Sequence, residues 1–238
     1  YIEEIERGPK VIEGVATSTA ALIGETARGT TRPKLITSYA EYLRYFGDVF
    51  DDSKYMPYAV NAFFENGGRR CYIARIVAAD AAVAETGFDD YKIRAIGPGV
   101  GGNRILVRLS KGSARDSQGH QIGFRIKAYY WNRFPEDQDI FDPEADENRG
   151  RFPKPDLVED FDDLSTSPDS ANYYRKRLNN FEGDVSHPGP SGLIEISVPN
   201  NAPQPGEEDP KLLEDGTDGG GIQKNDFEGK NADPNKRK

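Results

Sequence analysis

The spacing of apolar side chains changes part-way along this 238-residue chain, and the change limits the folds available to it. Up to residue 88, short apolar runs are interleaved with stretches of helical periodicity. From Tyr91 onward, apolar and polar residues alternate and glycines separate the runs, which is typical of antiparallel strands. The pattern predicts an α/β (α+β) fold. An N-terminal α/β region over residues 14–88 precedes a mostly antiparallel, β-sandwich-like domain over residues 89–199.

In the first region the sequence predicts three strands and two helices. The strands cover residues 19–23, 34–37 and 70–77, and the first is predicted to be buried. The first helix starts after Ser38, a good N-cap, and ends at Gly47. The second covers residues 55–65 and ends at Asn66-Gly67-Gly68. Its predicted buried stripe is formed by Tyr55, Ala59, Ala62 and Phe63.

The second region is predicted to contain five strands, over residues 91–96, 105–110, 121–131, 157–164 and 192–198. Ser167-Pro168 has the composition of a helix start, so a helix carrying Ala171, Tyr174 and Leu178 on one edge is predicted after it.

Three segments lack the pattern of a core element. Residues 1–13 are predicted to be an extended N-terminal arm. Residues 136–147 contain seven Asp or Glu and no Lys or Arg, which predicts a solvated acidic loop. Residues 200–238 are rich in Pro, Gly and charged residues and are predicted to be a disordered or truncated tail, a linker at the start of a missing C-terminal domain.

Charge and composition exclude several classes of function. A net charge of -9 argues against direct binding of nucleic acid, which depends on Lys and Arg neutralising phosphates. The sequence has no apolar run of about 18 residues, so membrane insertion is not expected. Cys71 is the sole cysteine, which excludes an intrachain disulfide and a zinc site built from several cysteines.

No catalytic constellation is evident, and no cofactor or metal site is predicted. Gly97–Gly102 matches G-x-G-x-x-G, but a strand is predicted to follow it where a dinucleotide site needs a helix. The acidic loop lacks the spacing of an EF-hand. Two alternatives stay open: a surface module that binds calcium or carbohydrate, and a nucleotide-binding enzyme that uses the Gly97–Gly102 loop.

Six motifs, taken in order along the chain, resemble the sheath proteins of contractile phage tails. The same family includes the sheaths of phage-like contractile injection systems and R-type bacteriocins. The motifs are YIEEIERGP at 1–9, GVATSTAALIG at 14–24, FFENGGRRCYIAR at 63–75, GPGVGGN at 97–103, VEDFDDLS at 158–165 with NYY at 172–174, and DGTDG at 215–219. Members of that family usually have residues before the arm and a further C-terminal domain, so the chain is expected to be a fragment.

The resemblance implies a structural subunit and not an enzyme. Its expected partners are further copies of itself in sixfold rings, an inner tube protein, a baseplate and a tail terminator. The sheath would contract and drive the tube through a target envelope. Its expected location is a virion tail, or the bacterial cytoplasm for a cellular injection system.

The arm is the segment expected to join subunits, because an extended segment can add a strand to a neighbour's sheet. The residues assigned to this strand are Tyr1, Ile2, Glu3, Glu4, Ile5 and Glu6. Gly8, Pro9 and Gly14 are the predicted hinge, where backbone rotation would be absorbed.

Overall fold

The computed structural model describes residues 19–133, 142–148, 153–179, 191–199 and 202–228. The predicted arm strand Tyr1–Glu6 and the hinge Gly8, Pro9 and Gly14 lie outside these residues. The strands are β1 (Thr19–Gly24), β2 (Lys34–Ile36), β3 (Arg70–Arg75), β4 (Glu85–Phe88), β5 (Tyr91–Ala95), β6 (Ile105–Lys111), β7 (Phe124–Tyr130), β8 (Leu157–Leu164), β9 (Ile194–Ser197) and β10 (Lys211–Leu212). The α-helices are α1 (Tyr39–Phe46), α2 (Met56–Glu65), α3 (Tyr174–Arg177) and α4 (Lys224–Glu228), and 3-10 turns cover Val100–Arg104 and Asp146–Asn148. This mixed α/β architecture confirms the predicted fold class.

The first layer is a three-stranded sheet with strand order β1-β3-β2, in which β1 is parallel and β2 antiparallel to the central β3. Helices α1 and α2 cover one face, and their core with the sheet includes Ile36, Tyr42, Phe46, Val60 and Ile73. The predicted caps of α1 are confirmed. The Ser38 side chain accepts a hydrogen bond from the Glu41 amide, and Gly47 ends the helix with a φ of 82°.

Two burial predictions for this layer are wrong. Helix α2 buries Met56, Pro57 and Val60, whereas Tyr55 is 74% exposed. The helix is apolar around most of its circumference, so periodicity did not select a face, and the packing with the sheet buries Met56 and Val60. Strand β1 was predicted to be buried but alternates between exposed and half-buried residues, because helices cover only one face of its sheet.

The second layer is a sandwich of two antiparallel sheets, as predicted. One has the strand order β10-β6-β7-β8 and the other β4-β5-β9. They share one apolar core, whose members include Phe88, Tyr91, Ile93, Val107, Leu109, Phe124, Ile126, Ile194 and Ile196. Alternation along β5, β6 and β7 sends these side chains inward and leaves Lys and Arg on the outer faces.

Both ends of the sandwich extend past the region predicted for it. Strand β4 lies before residue 89 and pairs with β5, with Phe88 opposite Tyr91. In the tail, β10 pairs with β6, and the next residue, Leu213, is fully buried in the sandwich core. The described part of the tail is therefore part of the folded body, although its composition predicted a linker.

The helix predicted after Ser167-Pro168 is wrong in extent, since only Tyr174–Arg177 is helical. The segment before it turns back onto the end of β8. Ser165 donates its amide to the Asn172 carbonyl, and the Tyr174 amide donates to the Ser165 carbonyl. These bonds use the backbone groups that a longer helix would need.

Candidate functional site

The glycine loop at Gly97–Gly102 is filled by the protein's own groups. The Gly99 amide donates to the Ala82 carbonyl at 2.9 Å, and the Gly102 amide donates to the Gly99 carbonyl at 3.1 Å. The Val100 amide donates to Asp218 Oδ1 at 3.0 Å. Three amides that a phosphate would need are therefore already bonded to oxygens of the protein itself.

The glycines of this loop are required by close packing. A Cβ at Gly97 would overlap the Gly29 carbonyl, and one at Gly101 would overlap the Ala27 carbonyl. The loop continues into the 3-10 turn Val100–Arg104 before β6 begins. The sequence predicted that a strand would follow the loop without this turn. Gly97–Gly102 thus joins the two layers closely and leaves no cradle for a dinucleotide.

Two buried arginines hold this junction. The Arg75 Nη1 group donates to the Gly29 carbonyl at 2.8 Å and to the Pro98 carbonyl at 2.7 Å. Burial lowers the pKa of Arg75 to about 10, with the nearby Asp218 carboxylate acting in the opposite direction. Arg75 therefore ties the glycine loop to the end of β3 through backbone carbonyls.

Arg28 joins helix α1 to the sandwich. Its guanidinium donates to the carbonyls of Leu43, Arg44 and Tyr45, the last turn of α1, at 2.8–3.2 Å. It also donates to the Gly192 carbonyl at 3.1 Å and lies 4.4 Å from the ring centroid of Tyr130. One planar cation thus satisfies helix-end carbonyls and binds the second layer at the same time.

Glu159 in β8 completes the junction from the other side. Its carboxylate accepts hydrogen bonds from the Ser191 hydroxyl at 2.6 Å and the Gly192 amide at 2.8 Å. Arg44 lies 3.6 Å away across the layers. Sequence reasoning missed Arg28 and Glu159, because a charged residue in a loop or on an alternating strand carries no signal that it is buried.

The acidic loop is not wholly solvated. In its described part, Glu144 bonds Arg108 Nη1 at 2.6 Å and also pairs with Lys127, and Asp142 lies 3.5 Å from Arg108. Arg108 and Lys127 belong to the outward faces of β6 and β7. The prediction of a solvated loop did not include these contacts, because it did not consider the cations that strand alternation places on that sheet face.

An apolar surface is open at β1. Within the described residues, β1 pairs with β3 alone and is an edge of its sheet. Ile23 is 61% exposed there, and a groove of about 360 Å³ beside the strand is lined by Ile23, Tyr55, Met56 and Phe227. An open edge next to exposed apolar side chains is the kind of surface that associates with another strand or chain.

The other residues considered for chemistry have ordinary surroundings. Cys71 is buried in β3, where burial raises the pKa of its thiol. His120 pairs with Asp116 at 3.1 Å in an exposed turn, and His187 lies outside the described residues. In the part of the chain that the structure describes, no three or more His, Cys, Asp or Glu side chains are grouped to hold a metal. None of the helices described there is long and apolar enough to cross a membrane.

No protein-family model matches the chain, and no curated protein matches it. Solved structures similar to it include two sheath tail proteins. The sheath tail protein from Desulfitobacterium hafniense has a TM-score of 0.44 and 9% identity, over 88% of this chain and 37% of that one. The sheath tail protein from Listeria innocua has a TM-score of 0.46 and 11% identity, over 88% of this chain and 36% of that one. The chain spans little more than a third of the length of either protein.

Proposed function

We propose that the chain is a structural subunit of a contractile tail sheath, which polymerises as stacked sixfold rings around an inner tube and shortens to drive the tube through an envelope. The six motifs found in order along the sequence support this class. The proposal assigns the chain no chemical step, and it includes copies of itself, the tube protein, the baseplate and the tail terminator as partners.

The observation that carries the proposal is the open edge at β1. The segment proposed as an inter-subunit arm, Tyr1–Glu6, precedes β1 by only 12 residues along the chain. The described body begins with β1, and the outer edge of this strand is unpaired among the described residues. A body with an arm next to an open edge is suited to head-to-tail contacts, which generate rings or helical arrays.

The two layers are joined in a way that suits a subunit that moves as a unit. Arg28 and Glu159 are buried between the layers, and each makes hydrogen bonds to the segment that contains Gly192. Arg28 donates across the layers to the Gly192 carbonyl, and Arg44 of α1 lies 3.6 Å from Glu159 of β8, so separating the layers would break both contacts. Rearrangement during contraction is therefore assigned to contacts between subunits, with Gly8, Pro9 and Gly14 as the hinge.

Deletion of residues 1–9 from the full-length protein tests this function. We expect the variant to lose polymerisation, because its subunits lack the tether, while the monomer keeps the folded body. Negative-stain microscopy reports assembly, and circular dichroism with a thermal melt reports folding.

A matched variant in which residues 1–6 are replaced by Gly and Ser keeps the length of the arm but removes the side chains proposed to pair with a neighbouring subunit. Like the deletion variant, it should not assemble. Sheaths of normal length from either variant would contradict the assignment of the arm.

A further inference from the structure

A cavity lies at the carboxyl ends of the two parallel strands of the first layer. Strands β1 and β3 run in parallel register, with Gly24 opposite Arg75 at their last residues. The residues that follow them, 25–27 and 76–78, line a cavity of about 350 Å³ together with the glycine loop and part of the tail. In layered α/β structures, ligands bind in the crevice beyond the carboxyl ends of the strands. The cavity also has the volume of a small-molecule site.

The cavity contains a buried arginine with unused donor capacity. Arg75 is one of its lining residues and is only 5% exposed. Its Nη1 group bonds two backbone carbonyls, but its Nε group is buried and has no hydrogen-bond partner among the described residues. A buried donor without a partner is costly, so this guanidinium is suited to an acceptor that enters the cavity.

A second arginine lines the same cavity. Arg104 is half-buried, and its Nη1 group donates to the Asn132 carbonyl at 2.6 Å. Among the described residues, no carboxylate forms an ion pair with Arg75 or Arg104. Two guanidinium groups with donors to spare are the groups that bind a carboxylate most strongly in proteins.

The acidic side chains around the cavity already have donors within the chain. Glu25 pairs with Lys54. Asp51 accepts hydrogen bonds from the Ser53 amide at 2.7 Å and the Ser53 hydroxyl at 2.6 Å. Asp218 accepts an amide of the glycine loop at 3.0 Å. The unused polar capacity of the cavity is therefore cationic, although its formal charges balance.

The remaining walls are apolar. Phe50 and Val100 are 39% and 42% exposed, and Ile76 and Ile222 are half-buried beside them. Small-molecule sites combine such apolar walls with a few convergent polar groups. The lining thus fits a molecule that has one anionic group and an apolar body.

We propose that this cavity binds a small organic carboxylate with an apolar body. Arg75 and Arg104 bind its carboxylate, and Phe50, Val100 and Ile222 contact the rest of the molecule. The site differs from a dinucleotide cradle, because it uses arginine side chains and not the amides of the glycine loop. It goes beyond the proposed sheath function, and it gives the junction of layers and tail a ligand that stabilises it.

Binding of benzoate to the 238-residue chain, followed by two-dimensional NMR of the labelled protein, tests the proposal. We expect a dissociation constant on the order of 1 mM, as is usual for so small a ligand, with shifts of the Gly101 and Gly219 amides that line the cavity. Benzamide has the same shape without the charge, and inorganic phosphate has charge without an apolar body. Both should bind at least about ten-fold more weakly.

Two pairs of variants locate the site. Arg104→Gln should weaken benzoate binding at least about five-fold. Arg115→Gln is its control, since Arg115 also donates to a backbone carbonyl but lies in an exposed turn outside the cavity. Val100→Asp should weaken binding to a similar extent by placing a second anion at the cavity, whereas the isosteric Val100→Asn should not.

Arg75 also holds the glycine loop, so the test relies on the more exposed Arg104 and Val100, and a thermal melt confirms that each variant is folded. Benzamide or phosphate binding as tightly as benzoate would overturn the assigned ligand class. Undiminished benzoate binding by both Arg104→Gln and Val100→Asp, or no shift of the cavity amides with benzoate, would overturn the site itself.

Discussion

The outer surfaces of the two layers differ in chemistry. The three-stranded sheet is covered by helices on one face and presents Ile23, Leu35 and Tyr72 to solvent on the other. The four-stranded sheet of the sandwich has a charged outer face, and the chain's own carboxylates bind it through Glu144 and Asp160. The outer surface of the three-stranded sheet is apolar and exposed, whereas the cations on the four-stranded sheet are paired with carboxylates of the same chain.

This difference indicates where each layer contributes to function. The sandwich has the larger core, takes up Leu213 from the tail and neutralises its own outer face, so it acts as the stable body. All three sheets have edge strands among the described residues, but the smaller layer also exposes Ile23, Leu35 and Tyr72, so we propose that it supplies the surface for association. Substitutions in the sandwich or the junction should change stability, and substitutions at the β1 edge should change assembly.

The largest expected effect is at the junction. Arg28→Ala should lower the free energy of unfolding by about 3–5 kcal/mol, because it leaves several buried carbonyls without a donor. Arg28→Lys should recover only part of this, since an ammonium cannot reproduce the guanidinium fork. Urea denaturation measures the change, with the exposed Arg32→Ala as control. A loss for Arg28→Ala no larger than that of the control would show that the layers do not depend on this residue.

The second-largest expected effect on stability is in the tail. Leu213→Ala should cost about 2–4 kcal/mol, because it leaves a cavity in the sandwich core. The neighbouring Glu214 is exposed, so Glu214→Ala should change stability by less than about 0.5 kcal/mol. Thermal unfolding of both variants makes the comparison. Equal melting temperatures would mean that the tail is a linker, as its composition suggested.

The glycine loop gives a smaller effect of the same kind. Gly101→Ala should lower stability by about 1–3 kcal/mol, because the added methyl overlaps the Ala27 carbonyl at the junction. Gly206→Ala adds a methyl in open space and should be nearly neutral. Equal chemical denaturation midpoints would show that the loop tolerates a side chain and has room for a ligand.

The smallest effect is a dependence on pH at the charged face. The hydrogen bonds from Arg125 lower the pKa of Asp160 below its ordinary value of 3.8. A lowered folded-state pKa means that this pair stabilises the protein above pH 3.8 and loses the contribution as pH falls through the folded value. Because the Arg125 and Asp160 side chains are 32% and 39% exposed, solvent screens the pair, and Asp160→Asn should cost only about 0.5 kcal/mol at pH 7.

Urea denaturation across pH 2–7 tests this sign. The difference between Asp160→Asn and the unmodified chain should shrink as pH falls. A difference that grew toward low pH would reverse the assigned direction of the pKa shift.

The sequence predicted much of the fold because local patterns determined it. Ser38 and Gly47 mark the ends of α1 correctly, and alternation located the inward faces of β5, β6 and β7. The errors arose where distant contacts decide the outcome. Leu213 is buried because β6 offers an edge to the tail, which nothing in the tail's own composition reveals.

Less of the candidate site than of the fold could be predicted from the sequence. The Gly97–Gly102 motif was correctly interpreted as a turn, although the 3-10 helix after it was not predicted. Arg28 and Glu159 became visible only once the layers were packed, since local sequence does not encode which charged residue meets a helix end from another layer. The cations on the outer face of β6 and β7 follow from alternation, but the return of Asp142 and Glu144 to them depends on a loop whose path the sequence did not indicate.

The central claim is that the β1 edge assembles subunits and the remainder of the body holds them rigid. Negative-stain microscopy of the full-length protein tests it most directly, with Ile23→Lys compared with Ile122→Lys, which charges a similarly exposed isoleucine on the sandwich. We predict stacked rings or striated tubes for the unmodified protein and for Ile122→Lys, and folded single subunits for Ile23→Lys. Tubes from Ile23→Lys, or no ordered assembly from the unmodified protein, would contradict the account.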